Sequence, residues 1–235
     1  LYDTDYIDQI IILDRNKNQK GEHDGIFGSL SLIKDLKKYD FDKIFIFNSS
    51  LRFNLIAKLS RIPEIFQYPL FKKTNQHIIN TAKDFIKTEL DLEINDDPKI
   101  KLLQKSISEA NEKYNIDKNN TNILLGIGGS GPTKRIPAET FIKVMEKIEE
   151  EKKCHFFLAT GKDKEEQAIL NQIINSRFSK FCTPLDNLSI KETLPIIKNC
   201  DIAVCNDTGF GHLSAALEIK TIMLMADAPL MYGSY

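Results

Sequence analysis

The alternation of short apolar runs with amphipathic segments is the feature that most constrains the fold of this chain. In the second half, apolar runs that predict strands lie at residues 122–128, 154–160, 201–206 and 221–226. Segments with helical periodicity separate these runs, and parallel strands need such crossover connections. Strand–helix units that follow one another in this way predict an α/β fold with an open parallel sheet.

The first half shows the same alternation over a shorter stretch. Strands are predicted at residues 9–13, 43–48 and 64–68. Helices are predicted at residues 27–39, 49–62 and 74–90. The spacing that predicts the first of these helices is that of Phe27, Leu30, Ile33 and Leu36.

A polar, acidic segment over residues 91–98 separates the two halves, and a charged helix is expected from about residue 99 to residue 114. We therefore predict a partial N-terminal domain over residues 1–95 and a second domain, truncated at its end, over residues 96–235. Because the chain begins at Leu1, not at a methionine, and stops at Tyr235, two residues after the pair YG, we expect it to lack sequence at both ends.

Composition and charge exclude several functional classes. Hydrophobic residues make up 42% of the 235 residues, charged residues make up 28%, and the net charge is −1. Without a basic surplus, the chain is not expected to bind nucleic acid. The four cysteines show no metal-ligand spacing and are typical of reduced, partly buried thiols in a cytosolic protein. We therefore expect a cytoplasmic location. The apolar runs are too short to span a bilayer.

The segment ILLGIGGSGPTKRIP contains a glycine pattern that requires an explanation. Gly126, Gly128 and Gly131 fit the dinucleotide fingerprint G-x-G-x-x-G, which is a weak signal on its own. Two prolines delay the following helix until about Ala138, whereas the third glycine of the fingerprint belongs in the first turn of that helix. The acidic residue expected about 20 residues further on falls inside the helix, and the P-loop pattern is absent. The sequence therefore disfavours a dinucleotide.

Lys134 places one cation at the mouth of this glycine-rich segment. A turn with several backbone N–H groups at the carboxyl end of a strand suits a mono- or diphosphate. A charge-assisted contact from Lys134 would contribute about 1.5–3 kcal/mol. The competing interpretation is a surface lysine beside a turn that serves packing only.

A second turn suited to anions follows the predicted strand at residues 201–206. Asp207, Thr208 and Gly209 lead into a helix whose N-terminus offers unpaired N–H groups and the positive end of a dipole. The alternatives are an ordinary N-cap at this position and a half-buried His212 without a ligand role. Gly209 and Gly211 are expected to let a ligand approach the backbone. Two such turns at one edge of a parallel sheet favour ligand binding, because open α/β sheets bind ligands there.

Motifs in both halves resemble the ADP-heptose:lipopolysaccharide heptosyltransferase family, glycosyltransferases of the two-domain GT-B type. GPTKRIP, at residues 131–137, resembles the family's GPxKRWP, and NDTGFGHLSAALEIK, at residues 206–220, resembles its nDTGxxHLaaALgvP. Residues 39–64 resemble a segment of the family's acceptor domain. The resemblance implies two Rossmann-like parallel-sheet domains that face a cleft, with the first domain incomplete in this chain.

The resemblance also implies roles for individual residues. Lys134 would hold the donor diphosphate and stabilise the departing nucleoside diphosphate, and Asp207 would belong to the same catalytic site. Glu165 would bind the ribose hydroxyls, with Glu166 as the alternative. The implied donor-binding residues are Gly129, Ser130, Lys134, Glu165, Asp207, Thr208, Gly209 and His212. The general base would lie upstream of Leu1, and neither a metal nor a cofactor is implied.

The implied reaction is an inverting, metal-independent transfer of heptose from ADP-heptose to a lipopolysaccharide inner-core acceptor. The implied partners are a nucleotide-sugar and a lipid-linked oligosaccharide, with peripheral contact at the inner face of the cytoplasmic membrane. Ile136 and residues 226–229 depart from the family's motifs. These departures leave open a non-catalytic nucleotide-sugar-binding homologue or a transferase that uses another nucleotide-sugar. A nicotinamide- or S-adenosylmethionine-dependent enzyme that uses the three glycines is a further alternative.

Overall fold

The chain divides into two units in the computed structural model, which describes residues 7–15, 21–69, 76–226 and 229–233. The first unit comprises Leu1–Asn75 together with Asn80–Ile94, and the second comprises Gln76–Ile79 together with Asn95–Tyr235. Each unit contains a parallel sheet. The site described below lies entirely within the second unit.

Two short strands form the sheet of the first unit. β1 (Lys43–Ile46) and β2 (Glu64–Gln67) pair in parallel, as the sequence predicts. The helices in this half of the chain are α1 (Gly25–Leu36), α2 (Leu51–Leu59) and α3 (Ile78–Leu90). Leu32 and Ile33 of α1 pack against Ile56 of α2, and these apolar contacts hold the two helices together.

The predicted strand at residues 9–13 does not form, so that prediction is wrong. Among the described residues, the sheet of the first unit contains only β1 and β2. Ile12 is 72% exposed, and an apolar run without a partner strand has no ladder of backbone hydrogen bonds to join. The helix predicted from apolar spacing is confirmed as α1, but Phe27 and Leu30 are exposed whereas Ile33 is buried.

Five parallel strands form the sheet of the second unit, in the order β5-β4-β3-β6-β7. The strands are β3 (Thr121–Gly126), β4 (Cys154–Ala159), β5 (Cys182–Pro184), β6 (Ile202–Asn206) and β7 (Lys220–Leu224). The helices are α4 (Gln104–Lys113), α5 (Ala138–Glu151), α6 (Lys164–Ile174), α7 (Ile190–Lys198) and α8 (Gly209–Ala216). All four strands predicted for this half are confirmed.

Side chains of the central strand β3 alternate between two apolar cores, one on each face of the sheet. Leu124 belongs to the core that includes residues of α4 and α7, whereas Ile123 and Leu125 belong to the core with α5 and α6. Strands covered on both faces bury every side chain, which explains why β3 reads as a continuous apolar run. The result is a sheet between two helical layers.

Two helix starts in the second unit test the local signals in the sequence. Ser189 and Glu192 form the predicted capping box: Ser189 N–H donates to Glu192 Oε2 at 2.8 Å, and Glu192 N–H donates to Ser189 Oγ at 3.3 Å. α4 begins at Gln104, later than the predicted start near residue 99. β5 was not predicted, because three residues are too few to show a periodicity.

The four cysteines are free thiols, as the sequence predicts, and three of them are buried. Burial raises the pKa of Cys182 and of Cys205 to about 12. Thiols with so high a pKa are poor nucleophiles, because the thiolate is the reactive form.

Within the described part of the chain, no helix combines the length and the apolar character needed to cross a bilayer.

Candidate functional site

Two loops leave the carboxyl ends of the adjacent strands β3 and β6 and border one open cavity of about 380 Å³. We call residues 127–137 the glycine loop and residues 207–209 the α8 turn. Because β3 and β6 are parallel neighbours, both segments lie at the same edge of the sheet. The cavity is lined by Gly128, Gly129, Ser130, Gly161, Glu166, Ile190, Asp207, Thr208, Gly209, Phe210, His212 and Leu213.

Side chains of the protein bind both backbone groups of Gly129 in the glycine loop. The N–H of Gly129 donates to Glu166 Oε1 at 2.6 Å, and Arg135 Nε donates to the carbonyl oxygen of Gly129 at 2.9 Å. Gly129 is buried, so these side chains replace the water that its backbone would otherwise bind. The glycine-rich sequence predicts that backbone N–H groups of this loop face a phosphate. In this structure the N–H of Gly129 already has a carboxylate partner.

Asn206, the last residue of β6, holds the start of the glycine loop. Its Nδ2 donates to the carbonyl oxygens of Ile127 and Gly128, at 3.0 and 3.1 Å. The side chain is fully buried, and its Oδ1 has no hydrogen-bond partner within the protein. This amide therefore fixes the glycine loop against the end of β6.

Two glycines near the carboxyl end of β3 are required by close packing. A Cβ on Gly126 would lie 2.6 Å from Cys205 Sγ, and a Cβ on Gly129 would lie 2.8 Å from the carbonyl oxygen of Lys134. Gly131 differs, since a Cβ there would meet nothing within 4 Å. Close packing within the protein therefore explains Gly126 and Gly129 without a bound nucleotide, but it does not explain Gly131.

The α8 turn has free space around Gly209, whereas Gly129 of the glycine loop is packed against other atoms of the protein. Thr208 is the N-cap of α8, and its Oγ1 accepts a hydrogen bond from Phe210 N–H at 3.2 Å. Gly209 is exposed, and a Cβ there would meet nothing within 4 Å. Gly211 does not serve ligand approach as expected, because it is buried and a Cβ there would collide with the side chain of Met223 on β7.

An ion pair connects the glycine loop to the α8 turn. Lys134 Nζ lies 2.5 Å from Asp207 Oδ2, and the two side chains are 26% and 9% exposed. Asp207 Oδ2 is buried and makes no other polar contact within the protein, so Lys134 supplies its charge compensation. The site thereby holds an ammonium group and a carboxylate directly beside the N-terminus of α8.

Arg135, the residue after Lys134, extends toward the start of α6 instead. Its Nη1 donates to Glu165 Oε2 at 2.8 Å and lies 4.0 Å from Oδ1 of Asp163, the N-cap of α6. The Arg135 side chain is 15% exposed, whereas Glu165 is 69% exposed. Two consecutive basic residues therefore reach to opposite sides of the glycine loop.

The structure brings most of the residues implied by the resemblance to the cavity. Gly129, Ser130, Asp207, Thr208, Gly209 and His212 line it. Lys134 reaches the site through Asp207 without lining the cavity itself. Glu165 does not line the cavity and pairs with Arg135, whereas Glu166, the alternative ribose ligand, does line it.

Sequence reasoning missed two residues that shape this site, Arg135 and Asn206. Arg135 lies inside the GPTKRIP motif, so its position was visible, but its contact with Gly129 depends on how the loop folds back. Asn206 directly precedes Asp207. Its position at the end of an otherwise apolar strand could have identified it, because a buried polar side chain there must find hydrogen-bond partners.

The glycine loop does not have the geometry of a dinucleotide fingerprint, as the sequence predicts. A short 3₁₀ turn at Pro132–Lys134 follows Gly131, and α5 begins only at Ala138. Gly131 therefore lies outside the first turn of the crossover helix, where the third glycine of the fingerprint belongs. Residues 149–151 lie at the end of α5, as expected, so they cannot serve at the tip of the next strand.

Among the described residues, one group has the composition of a metal site: Glu22, His23 and Asp35 in the first unit. His23 Nδ1 accepts a hydrogen bond from Asp14 N–H at 2.9 Å, and His23 Nε2 lies 3.2 Å from Asp35 Oδ2. Because Nδ1 accepts, the ring proton is on Nε2 and is donated to Asp35. Both ring nitrogens thus have partners, and the group is explained without a metal.

Comparison with known families places most of the chain in one of them. The model of glycosyltransferase family 9, described as heptosyltransferase, matches residues 29–230. Lipooligosaccharide heptosyltransferase 2 of Campylobacter jejuni subsp. jejuni serotype O:2 is 28% identical over 201 residues, which cover 83% of this chain and 60% of the relative. The counterpart from serotype O:6 is also 28% identical. The chain thus spans about 60% of the length of these curated relatives.

Solved structures share the fold at low sequence identity. The glycosyl transferase family 9 protein from Veillonella parvula has a TM-score of 0.73 at 16% identity, over 92% of this chain and 67% of that chain. E. coli ADP-heptose lps heptosyltransferase II has a TM-score of 0.64 at 16% identity, over 83% and 66%. E. coli heptosyltransferase WaaC with ADP has a TM-score of 0.64 at 13% identity, over 88% and 68%. These findings confirm the expected α/β, GT-B-type fold class and the resemblance stated above.

Proposed function

Since this chain belongs to glycosyltransferase family 9, we propose that the complete protein transfers a heptose from ADP-heptose to a lipopolysaccharide or lipooligosaccharide inner-core acceptor. The curated relatives are named lipooligosaccharide heptosyltransferases, and one structural neighbour contains ADP. In this proposal, the second unit binds the nucleotide-sugar donor and the first unit belongs to the acceptor side. A lipid-linked acceptor would also bring the protein into peripheral contact with the cytoplasmic face of the membrane.

The observation that carries the proposal is the Lys134–Asp207 ion pair at the meeting point of the two loops. Lys134 Nζ is 2.5 Å from Asp207 Oδ2, a buried carboxylate oxygen that has no other hydrogen-bond partner among the described residues. A diphosphate bound beside the α8 turn would offer the same ammonium group a second anion of higher charge. A charge-assisted contact of this kind contributes about 1.5–3 kcal/mol.

The N-terminus of α8 supplies the second part of the anion site. Gly209 is its first residue, is exposed, and lines the cavity, so a phosphate can approach its backbone. The dipole of the helix adds about 0.3–1 kcal/mol to the binding of an anion at this end. Neither this term nor the contact with Lys134 requires a metal ion, so we propose a metal-independent transfer.

The same groups would stabilise the departing nucleotide. In an inverting transfer, the acceptor oxygen forms a bond to the anomeric carbon as the bond from that carbon to the phosphate oxygen breaks. The electron pair of the broken bond remains on ADP, and the acceptor proton passes to a general base. Lys134 and the α8 N-terminus face the charge that develops on ADP, and a preorganised site of this kind lowers the barrier.

We assign the ribose-binding role to Glu166 rather than Glu165. Glu166 lines the cavity, and its Oε1 is oriented by the N–H of Gly129 at 2.6 Å. Glu165 is directed to Arg135 and is mostly exposed. A carboxylate accepts hydrogen bonds from adjacent ribose hydroxyls, so the carboxylate inside the cavity is the better candidate. Ser130 and His212, at other positions of the cavity lining, would contact the phosphates and the sugar.

Calorimetric titration of the complete protein with ADP and ADP-heptose tests this donor site. We expect Lys134→Ala to weaken ADP binding by about tenfold or more, because one charge-assisted contact is lost. Lys143→Ala is the matched control, since Lys143 is an exposed lysine on α5 of the same unit, away from the cavity lining. It should leave the affinity unchanged.

The other ligands in the experiment separate the alternatives. Unchanged ADP affinity in a folded Lys134→Ala variant would contradict the role given to Lys134. Binding of UDP or GDP in place of ADP would indicate another nucleotide-sugar. Preferential binding of NAD or S-adenosylmethionine would contradict the glycosyltransferase assignment of this site. Tight ADP-heptose binding without ADP release in the presence of inner-core acceptors would indicate a non-catalytic homologue.

A further inference from the structure

We infer that Arg135 is a positioning residue of the donor site, which holds Glu165 aside and fixes the glycine loop so that Glu166 faces the cavity. The inference rests on the proposed function, because it concerns the carboxylate assigned to the ribose. It adds a residue that would touch neither the nucleotide nor the reacting atoms. Arg135 would act on the donor site indirectly, by holding Gly129 and the first turn of α6 in place.

One guanidinium group makes both contacts on which the inference depends. Arg135 Nε donates to the Gly129 carbonyl oxygen at 2.9 Å, and Arg135 Nη1 donates to Glu165 Oε2 at 2.8 Å. The planar guanidinium presents its donors in a fixed geometry, so the two acceptors are held at a defined separation. A lysine has a single ammonium group on a flexible stem and cannot reproduce that geometry.

Glu165 and Glu166 are consecutive residues in the first turn of α6, and they point to different sides of the helix. Arg135 binds the first carboxylate, and the N–H of Gly129 binds the second at 2.6 Å. Both backbone groups of Gly129 are therefore connected to α6, one through Arg135 and one directly. This arrangement fixes the position of the Glu166 carboxylate relative to the cavity.

Charge explains why the separation of the two carboxylates matters for a diphosphate ligand. The cavity already contains the carboxylates of Glu166 and Asp207 in its lining. A third carboxylate near the nucleotide would repel the phosphates. Arg135 neutralises Glu165 outside the cavity, while Lys134, the residue before it, neutralises Asp207 on the opposite side of the glycine loop.

Ribose discrimination, measured as the ratio of the affinities for ADP and 2′-deoxy-ADP, tests the inference in the complete protein. We expect Arg135→Ala to weaken ADP binding by about tenfold and to bring the ratio close to one, because Glu166 loses its fixed position. Arg135→Lys keeps the charge but not the fixed geometry, and it should lower the ratio as well. Arg177→Ala is the matched control, because Arg177 of the same unit pairs with Glu146 and Glu149 away from the cavity lining, and we expect it to leave the ratio unchanged.

A merely structural role of Arg135 would lower the melting temperature without changing the ratio in the folded fraction. An unchanged ratio in folded Arg135→Ala and Arg135→Lys variants would therefore overturn the inference. Glu166→Gln separates this failure from a failure of the proposed function. If Glu166→Gln removes the discrimination and the Arg135 variants retain it, the ribose role stands and only the inference is wrong. If Glu166→Gln leaves the discrimination intact, both assignments are wrong.

Discussion

The glycine loop and the α8 turn occupy the same edge of one sheet, yet they differ in how their backbone groups are bound. In the glycine loop, side chains bind the N–H of Gly129 and the carbonyl oxygens of residues 127–129. In the α8 turn, Gly209 is exposed and has open space around its Cα. One segment is occupied by contacts within the protein, and the other has room for a ligand.

This difference suggests that glycine-rich sequence alone does not identify the segment that binds an anion. The glycine loop is shaped by close packing at Gly129 and by the buried amide of Asn206. The α8 turn combines a helix N-terminus with free space, which are the conditions for anion binding. We therefore expect Gly129→Ala, in the glycine loop, to reduce mainly the stability, and Gly209→Ala, in the α8 turn, to reduce mainly the nucleotide affinity.

The largest effect on stability is expected for Asn206→Asp. The substitution replaces a fully buried donor of two hydrogen bonds with a carboxylate that faces two carbonyl oxygens. Loss of the paired donor and burial of a charge should lower the free energy of unfolding by about 3 kcal/mol or more near pH 7. Urea unfolding at several pH values measures this loss.

The pH dependence of this variant has a defined sign. Burial raises the folded-state pKa of the introduced carboxyl above its unfolded value of about 3.9. The loss of stability should therefore grow as the pH rises above the unfolded pKa, and it should be smaller in acid. Asn206→Ala is the control, with an expected loss of about 1–3 kcal/mol that does not depend on this carboxyl. An unchanged free energy of unfolding in Asn206→Ala would contradict the role of the Asn206 amide.

A smaller loss of stability is expected for Gly129→Ala. Its Cβ would lie 2.8 Å from the carbonyl oxygen of Lys134, so the loop must shift to accommodate it. Overpacking of this kind costs about 1–3 kcal/mol in the free energy of unfolding. Gly131→Ala provides the matched control in the same loop, because its Cβ would meet nothing within 4 Å. If both variants unfold at the same urea concentration, the packing argument for Gly129 fails.

The smallest effect on stability, with a separate effect on binding, is expected for Gly209→Ala. Its Cβ would meet nothing within 4 Å, and alanine favours a helix, so the free energy of unfolding should change by less than about 1 kcal/mol. ADP affinity should fall, because the methyl group would occupy the space in which a phosphate approaches the α8 N-terminus. Calorimetric titration and urea unfolding of the same variant measure both quantities. Unchanged ADP affinity would indicate that the phosphates bind elsewhere.

Local signals predicted much of the fold because each depends on a few neighbouring residues. The continuous apolar run of β3 identified a strand covered on both faces, and the prolines of the glycine loop delayed α5 to Ala138, as observed. The capping box at Ser189 fixed the start of α7. The strand predicted at residues 9–13 failed, because forming a strand depends on a partner elsewhere in the chain.

The candidate site was predicted less completely, because its contacts join residues that are distant in sequence. The motifs identified Lys134 and Asp207, but their ion pair depends on the adjacency of β3 and β6 in the sheet. The choice between Glu165 and Glu166 depends on the orientation of α6 relative to the glycine loop. No pattern within α6 itself decides which of two consecutive carboxylates faces the cavity.

The sequence by itself determined the parallel α/β architecture, the two turns at the carboxyl ends of strands, and the resemblance to heptosyltransferases. These properties follow from periodicity and from short motifs, which are local. Only the tertiary structure decided that Gly211 packs against Met223, that Asn206 holds the glycine loop, and that Arg135 binds both Glu165 and the carbonyl oxygen of Gly129. The physical reason is that long side chains and buried amides bind the polar groups that lie close to them in the folded chain. Strand order and helix packing determine which polar groups these are.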